Sequence, residues 1–361
     1  MTSICSVSYV AIAATSLTLS SSDESLHEDV RDTAGELRLP QGSSLEESLK
    51  NCGSEIHLVG LNQDEVKKLC TLLKSKMKTT AIKLTDCNLA GVVELLSAAT
   101  EMNESLEELL LADCKLTSND VQHLVAMVSK HAPTLRIFSL RDNEDLRDAA
   151  VASIVTEFST RAEKAFLNSN LHRQAKELAT TSIKDAVRSD SLASIATEGS
   201  DDTEVAPMQT QLKQLALKTL DLSNCGVGNA TCEKVRKLML YGEDVEELKL
   251  SQNKDITMYA WKDLLSTITK PQCHLKCLDI SSNPIGGTWL ATGSPLQSLA
   301  GLKLDHLDLS GCQLSDSYAK PLAQELSKKG RTCIGNLKLE PGNNLSPESI
   351  NDLVDSCRPK H

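Results

Sequence analysis

Leu106-Glu107-Glu108-Leu109-Leu110-Leu111-Ala112-Asp113-Cys114-Lys115-Leu116 satisfies the frame LxxLxLxx(N/C)xL at every specified place. The frame returns at Leu217, Leu220, Leu222, Cys225 and Val227, at Leu275, Leu278, Ile280, Asn283 and Ile285, and at Leu304, Leu307, Leu309, Cys312 and Leu314. Looser copies fill the intervals: Ile82, Leu84, Cys87 and Leu89; Leu135, Phe138, Leu140 and Asn143; Val245, Leu248, Leu250 and Asn253; Ile334, Leu337 and Leu339. Ile56 and Leu58 are the expected start of the series. Some copies, such as Asn143-Glu144-Asp145-Leu146 and Asn253-Lys254-Asp255-Ile256, carry one additional residue before the closing apolar position, which belongs in a loop.

Each letter has a physical reason. Side chains alternate across a strand, so the two leucines of LxL face one side and the residue between them faces the other. The Asn or Cys that follows turns inward and can bond backbone groups where the chain leaves the sheet; leaving such a group unbonded would cost about 1–3 kcal/mol. Cys87, Cys114, Cys225 and Cys312 are therefore read as structural. Between strands, Ser118 to Lys130 places Val121, Leu124, Val125 and Val128 at helical spacing, and Asp316 to Lys328 does the same with Tyr318, Leu322 and Leu326. One strand and one helix per unit, at about 26 to 30 residues, predicts a curved α/β solenoid of about eight or nine repeats, with a parallel sheet inside and helices outside.

This motif, with long units and a helix in each, resembles the ribonuclease-inhibitor-like class of leucine-rich repeats over roughly residues 55–146 and 214–356. The looser copies, such as Val245 to Ile256, are similar to the C-terminal repeats of the tonsoku-like family, whose ankyrin and tetratricopeptide segments have no counterpart here. The resemblance implies a horseshoe that holds other proteins.

The spacing predicts four parts. Residues 1–54 read as a flexible, acidic, Ser-rich segment in which Ser21 and Ser25, each with a glutamate three residues on, are candidate phosphorylation sites or merely part of a solvated tail. Residues 55–167 form an N-terminal repeat block and residues 214–361 a C-terminal one. Between them the strand-to-strand distance from Leu140 to Leu222 is 82 residues, leaving on the order of 54 beyond one repeat. Val151, Ile154, Val155 and Phe158 read as an outer helix running on through Ala162 and Ala165, Leu171 to Val187 as a further helix, and Ser189 to Gln209 as an acidic loop. The insertion, 168–213, is either a docking helix with a regulatory loop or a tolerated surface excursion.

Composition narrows the function classes. Aromatics are 2% and the formal net charge is -11, which argues against nucleic acid as a ligand. No run reaches the ~20 apolar residues of a membrane span. Twelve cysteines, spread over repeat positions and helices, read as reduced thiols of a cytoplasmic or nuclear protein. Ile4 to Leu19, moderately apolar, lacks a preceding Lys or Arg and is read as no secretory signal. No phosphate loop, dinucleotide fingerprint, H-E-x-x-H or G-x-S-x-G occurs, so a non-enzymatic protein without catalytic residues, metal or cofactor is expected. Cys273, His274 and Cys277 offer at most three zinc ligands where a structural site takes four.

Alternation aims Thr219, Asp221 and Ser223, Glu247, Lys249 and Ser251, Cys277, Asp279 and Ser281, His306, Asp308 and Ser310, and Asn336, Lys338 and Glu340 into the concavity. Asp221, Asp279 and Asp308, with Lys249 fixing register and His306 and Lys338 beside them, form a candidate site for a basic segment of a protein partner; solvated aspartates with no ligand are the other reading. Asp86, Asp113 and Asp142, one after each early strand, are expected to form turns. A scaffold for protein–protein interaction is the leading functional expectation. A regulator of an enzyme, such as a small-GTPase activator of this repeat architecture, and a secreted recognition protein are the alternatives.

Overall fold

The paired apolar residues of each frame are withdrawn from solvent: Ile56 and Leu58, Ile82 and Leu84, Leu109 and Leu111, Leu220 and Leu222, and Leu248 and Leu250 are all fully buried. Burying a leucine stabilises by about 1.5–3 kcal/mol, which is what sets the strand faces. In the computed structural model, which describes residues 37–38, 45, 49, 53–75, 78–188, 215–286, 298–328 and 333–358, these pairs lie on parallel strands in chain order. The strands are β1 (Leu37–Arg38), β2 (Glu55–Val59), β3 (Ala81–Thr85), β4 (Glu108–Ala112), β5 (Ile137–Ser139), β6 (Thr219–Asp221), β7 (Glu247–Lys249), β8 (Cys277–Asp279), β9 (Lys303–Asp308) and β10 (Cys333–Lys338). They form one ten-stranded sheet.

Helices return the chain along the outside: α1 (Gln63–Leu73), α2 (Val93–Thr100), α3 (Val121–His131), α4 (Arg147–Arg188), α5 (Asn229–Tyr241), α6 (Met258–Ile268), α7 (Asp316–Lys328) and α8 (Pro347–Cys357). Each turns an apolar stripe inward, such as Val66, Leu69, Cys70 and Leu73 of α1 or Trp261, Leu264, Leu265 and Ile268 of α6. Some helix starts are held by the preceding repeat. The Asp148 carboxylate accepts from Ala230 N at 2.9 Å and Thr231 N at 2.8 Å. Asn229 Oδ1 accepts from Thr257 N at 3.0 Å, and Asp316 Oδ1 from Ser346 N at 2.7 Å.

The Asn and Cys positions tie repeat to repeat. Asn143 Oδ1 accepts from Cys114 N and Leu116 N, while its Nδ2 donates to the carbonyls of Leu111, Leu140 and Arg141. Asn253 does the same for Cys225 and Val227 and for Leu222, Leu250 and Ser251. Cysteine has only a thiol to give, and gives it to the same class of carbonyl: Cys225 Sγ to Leu140 O at 3.0 Å, Cys312 Sγ to Ile280 O at 3.3 Å. The residue just before each of these positions takes a left-handed conformation, from Asp86 (φ 52°), Asp113 (φ 48°) and Asp142 (φ 61°) through Asn224, Gln252 and Ser282 to Gly311. The early aspartates thus sit in turns, and the backbone N–H at this place reaches the next repeat, as in Asp86 N to Ala112 O at 3.0 Å.

Two features depart from the sequence reading, and a third completes it. The sheet starts earlier: Leu37 and Arg38, in the stretch read as flexible, pair with Leu58 and Val59, and Leu45 and Leu49 are buried in the core. Across the expected insertion the sheet is continuous, as β5 pairs directly with β6, Ile137 opposite Thr219 and Phe138 opposite Leu220. And the two helices expected between Val151 and Val187 are a single helix, α4, of 42 residues; with neither Gly nor Pro between Arg147 and Arg188, nothing in the chain stops it. Ser21, Ser25, the apolar Ile4 to Leu19 stretch and the acidic loop from Ser189 to Gln209 lie outside the described residues.

Candidate functional site

Strand register aligns the inner face into rows. Asp221 lies opposite Lys249, Lys249 opposite Asp279, Asp279 opposite Asp308 and Asp308 opposite Lys338. One row of five charged residues therefore crosses five strands, with neighbours about 4.8 Å apart. His306 is in the adjoining row, between Cys277 and Asn336, and Thr219 and Glu247 complete that row on the other side.

The side chains of the first row differ in what they have left to offer. Asp221 Oδ1, Asp279 Oδ1 and Asp308 Oδ1 each accept the backbone N–H two residues on, from Ser223, Ser281 and Ser310 at 3.0, 2.9 and 2.9 Å. This bond pins the carboxylate against its own strand end. Asp308 is further closed off: Ser310 Oγ donates to Oδ1 at 2.6 Å and Lys338 Nζ to Oδ2 at 2.7 Å. Burial works against its ionisation, but Lys338 and Ser310 outweigh that and hold the carboxyl below the ordinary carboxylate value. Lys249 leans to Glu247 at 3.1 Å. Among the described residues, Asp221 and Asp279 have no cation partner. The row thus resolves into a compensated pair at Asp308 and Lys338, and two carboxylates flanking Lys249.

A second charged row went unnoticed in the sequence. Two residues before the first apolar residue of each pair stand Glu107, Arg136, Lys218, Glu246, Lys276 and Asp305, and ion pairs link most of them: Arg136 with Glu107 at 3.3 Å, Lys218 with Glu246 at 3.6 Å and Lys276 with Glu246 at 2.7 Å. All of them but Glu107 border an open concavity of about 330 Å³, together with Glu108, Ile137, Thr219, Glu247 and Cys277. The signal was present as opposite charges at one repeat position, in a place the motif leaves unspecified. Deeper in the array, Lys83 of β3 pairs with Glu108 of β4 at 2.7 Å.

Burial, then Glu247 and Asp305, push the Cys277 thiol up, away from the thiolate a nucleophile needs. His274 Nδ1 contacts Glu243 O at 3.0 Å, and Cys273 packs against the core. Among the described residues no group of three His, Cys, Asp or Glu side chains could hold a metal ion. His131, at the end of α3, is pushed down to about 4, first by burial and then by Lys130, and stays neutral within the core.

Two stretches, 272–288 and 302–323, match the Leucine Rich repeat family. They contain β8 and β9, the strands that carry Asp279 and Asp308. No curated protein matches the chain. The architecture is that of a leucine-rich-repeat solenoid, a fold that generally presents its concave sheet to other proteins and is typically non-enzymatic. Among the described residues no helix is long and apolar enough to cross a membrane.

Proposed function

We propose that the chain is a non-enzymatic interaction module that takes a basic segment of a protein partner on its concave face, in a reducing compartment of the cell. The observation that carries this reading is the pair of carboxylates, Asp221 and Asp279, set two strands apart on either side of Lys249 with no cation of their own among the described residues. Two like charges about 9.6 Å apart on a sheet face invite a ligand bearing two cations, with Lys249 requiring an acidic or polar group between them. His306 flanks the row, and the Asp308–Lys338 pair marks its end rather than a docking point. Helices after most of the strands, from Gln63–Leu73 to Pro347–Cys357, are in keeping with a helix-bearing form of the architecture, and a face of several strands can supply the ~800 Å² per partner that a typical interface buries.

The intracellular part rests on chemistry of the core. The ten described cysteines are free thiols, and burial raises Cys225 and Cys312, the latter to about 12. Affinity capture from the native source with the wild-type protein and with Asp221→Lys/Asp279→Lys tests the site. Loss of the retained partner in the variant is the expected result, and equal retention by both proteins sinks the assignment. Thiol titration of the native protein should find free cysteines.

A further inference from the structure

The outer helices α2 and α5 span 8 and 13 residues, whereas α4 spans 42, which at a rise of ~1.5 Å per residue makes it about 63 Å long. Its first half is an ordinary outer helix: Val151, Ile154, Val155, Phe158 and Ala162 are buried, and the Phe166 ring sits 5.3 Å from that of Tyr241 in α5. Beyond Phe166 no described side chain of the helix is buried. Leu167 is 52% exposed and Leu171 63%, one helical turn apart on the same side, with Arg173 exposed beside them. Residues 167–188 make up about 33 Å of the helix.

An isolated helix of that length is marginal in water, and Asn168, Ser169, Asn170, Thr180, Thr181 and Ser182 are weak helix formers. Something must cover the leucine face for it to persist. Charge discriminates between the occupants. Residues 167–188 hold four basic residues (Arg173, Lys176, Lys184, Arg188) against two acidic ones (Glu177, Asp185), in a chain whose net charge is -11. A second copy of the helix would bring like charge to like. The chain that leaves the helix tip has the opposite balance: residues 189–214 carry Asp190, Glu198, Asp201, Asp202 and Glu204 against Lys213, with Leu192, Ile195, Val205 and Met208 interspersed. It also ends where the exposed face begins, because Leu215, buried, lines the same small cavity as Ala162 and Phe166. Tethered at the helix tip and beside Phe166, the two limits of the exposed part, it is offered to that face at millimolar effective concentration, without reference to any external partner.

We propose that the exposed face of α4 around Leu167, Leu171 and Arg173 is a docking surface for this chain's own acidic stretch, residues 190–204. The leucines take apolar residues of the stretch and Arg173 takes its carboxylates.

Hydrogen exchange on the full chain tests this, comparing wild type with Glu198→Lys/Asp201→Lys/Asp202→Lys/Glu204→Lys. Amides of 167–177 should exchange about tenfold faster in the variant, while those of 150–162 remain as in wild type. A photo-crosslinking amino acid at position 171 of the otherwise wild-type protein should join to a peptide within 189–214. Both results are required. Unchanged exchange of 167–177, a crosslink to a second copy, or no crosslink would overturn the proposal.

Discussion

One asparagine side chain does in this protein what several backbone bonds do elsewhere. Asn253 satisfies two N–H groups of the repeat before it and shares its amide among three carbonyls, all inside the core. Asn253→Ala removes those partners and strands buried polar groups, so a loss of about 3 kcal/mol is expected, read as a fall in the urea midpoint. Asn253→Cys should cost less, since Cys225 fills the equivalent place with a thiol bonded to Leu140 O. These positions were legible in the sequence because the frame singles them out. The left-handed residue before each is a type that favours that conformation where it is Asp, Asn224 or Gly311; at Gln252 the same conformation is imposed on a residue without that preference, by the inter-repeat bonds on either side. Asp221 and Asp279 were equally visible as candidates, but that Asp308 is already occupied by Lys338 depends on side-chain geometry across a repeat, which spacing does not encode.

Among the elements, α5 depends on a residue of the helix before it. The Asp148 carboxylate is half-buried, which by itself would favour protonation, yet the bonds from Thr231, Gly228 and Ala230 prevail and keep it below its ordinary value. A depressed carboxylate contributes stability that is complete above the unfolded value of about 3.9 and disappears as pH falls through the lower folded one. Asp148→Ala should therefore cost about 1 kcal/mol at pH 7, and the difference from wild type should vanish under strongly acidic conditions; chemical denaturation across pH checks both. No sequence pattern announces such a cap, because donor and acceptor are 82 residues apart. The continuity of α4 was missed for a related reason. Asn168-Ser169-Asn170 interrupts the apolar periodicity, and periodicity was the guide, whereas what ends a helix is a breaker, and none is there. At β1 the opposite holds: a two-residue strand, Leu37–Arg38, is too short to show any period and is recruited by the exposed edge of β2.

At the scale of the molecule the solenoid was legible because every repeat makes the same statement, and neighbouring repeats need only each other. What could not be read was how the long gap is bridged. β5 and β6 meet without it, Asp148 reaches Thr231, and Phe166 meets Tyr241, so both sides of the gap are joined by strand pairing, a helix cap and a ring contact. It follows that residues 1–188 and 215–361, produced as separate chains in one cell, should assemble and co-elute on gel filtration as one particle; independent elution would show that the covalent link is needed. That junction also has an evolutionary side. Because the chain departs at Phe166 and re-enters at Leu215 beside it, α4 can lengthen or shorten by whole turns, about 5.4 Å each, while every strand keeps its partner. The reach of the arm and the shape of the horseshoe are thereby free to be selected separately, and a new segment could be grafted at the arm's tip without rewriting a single repeat.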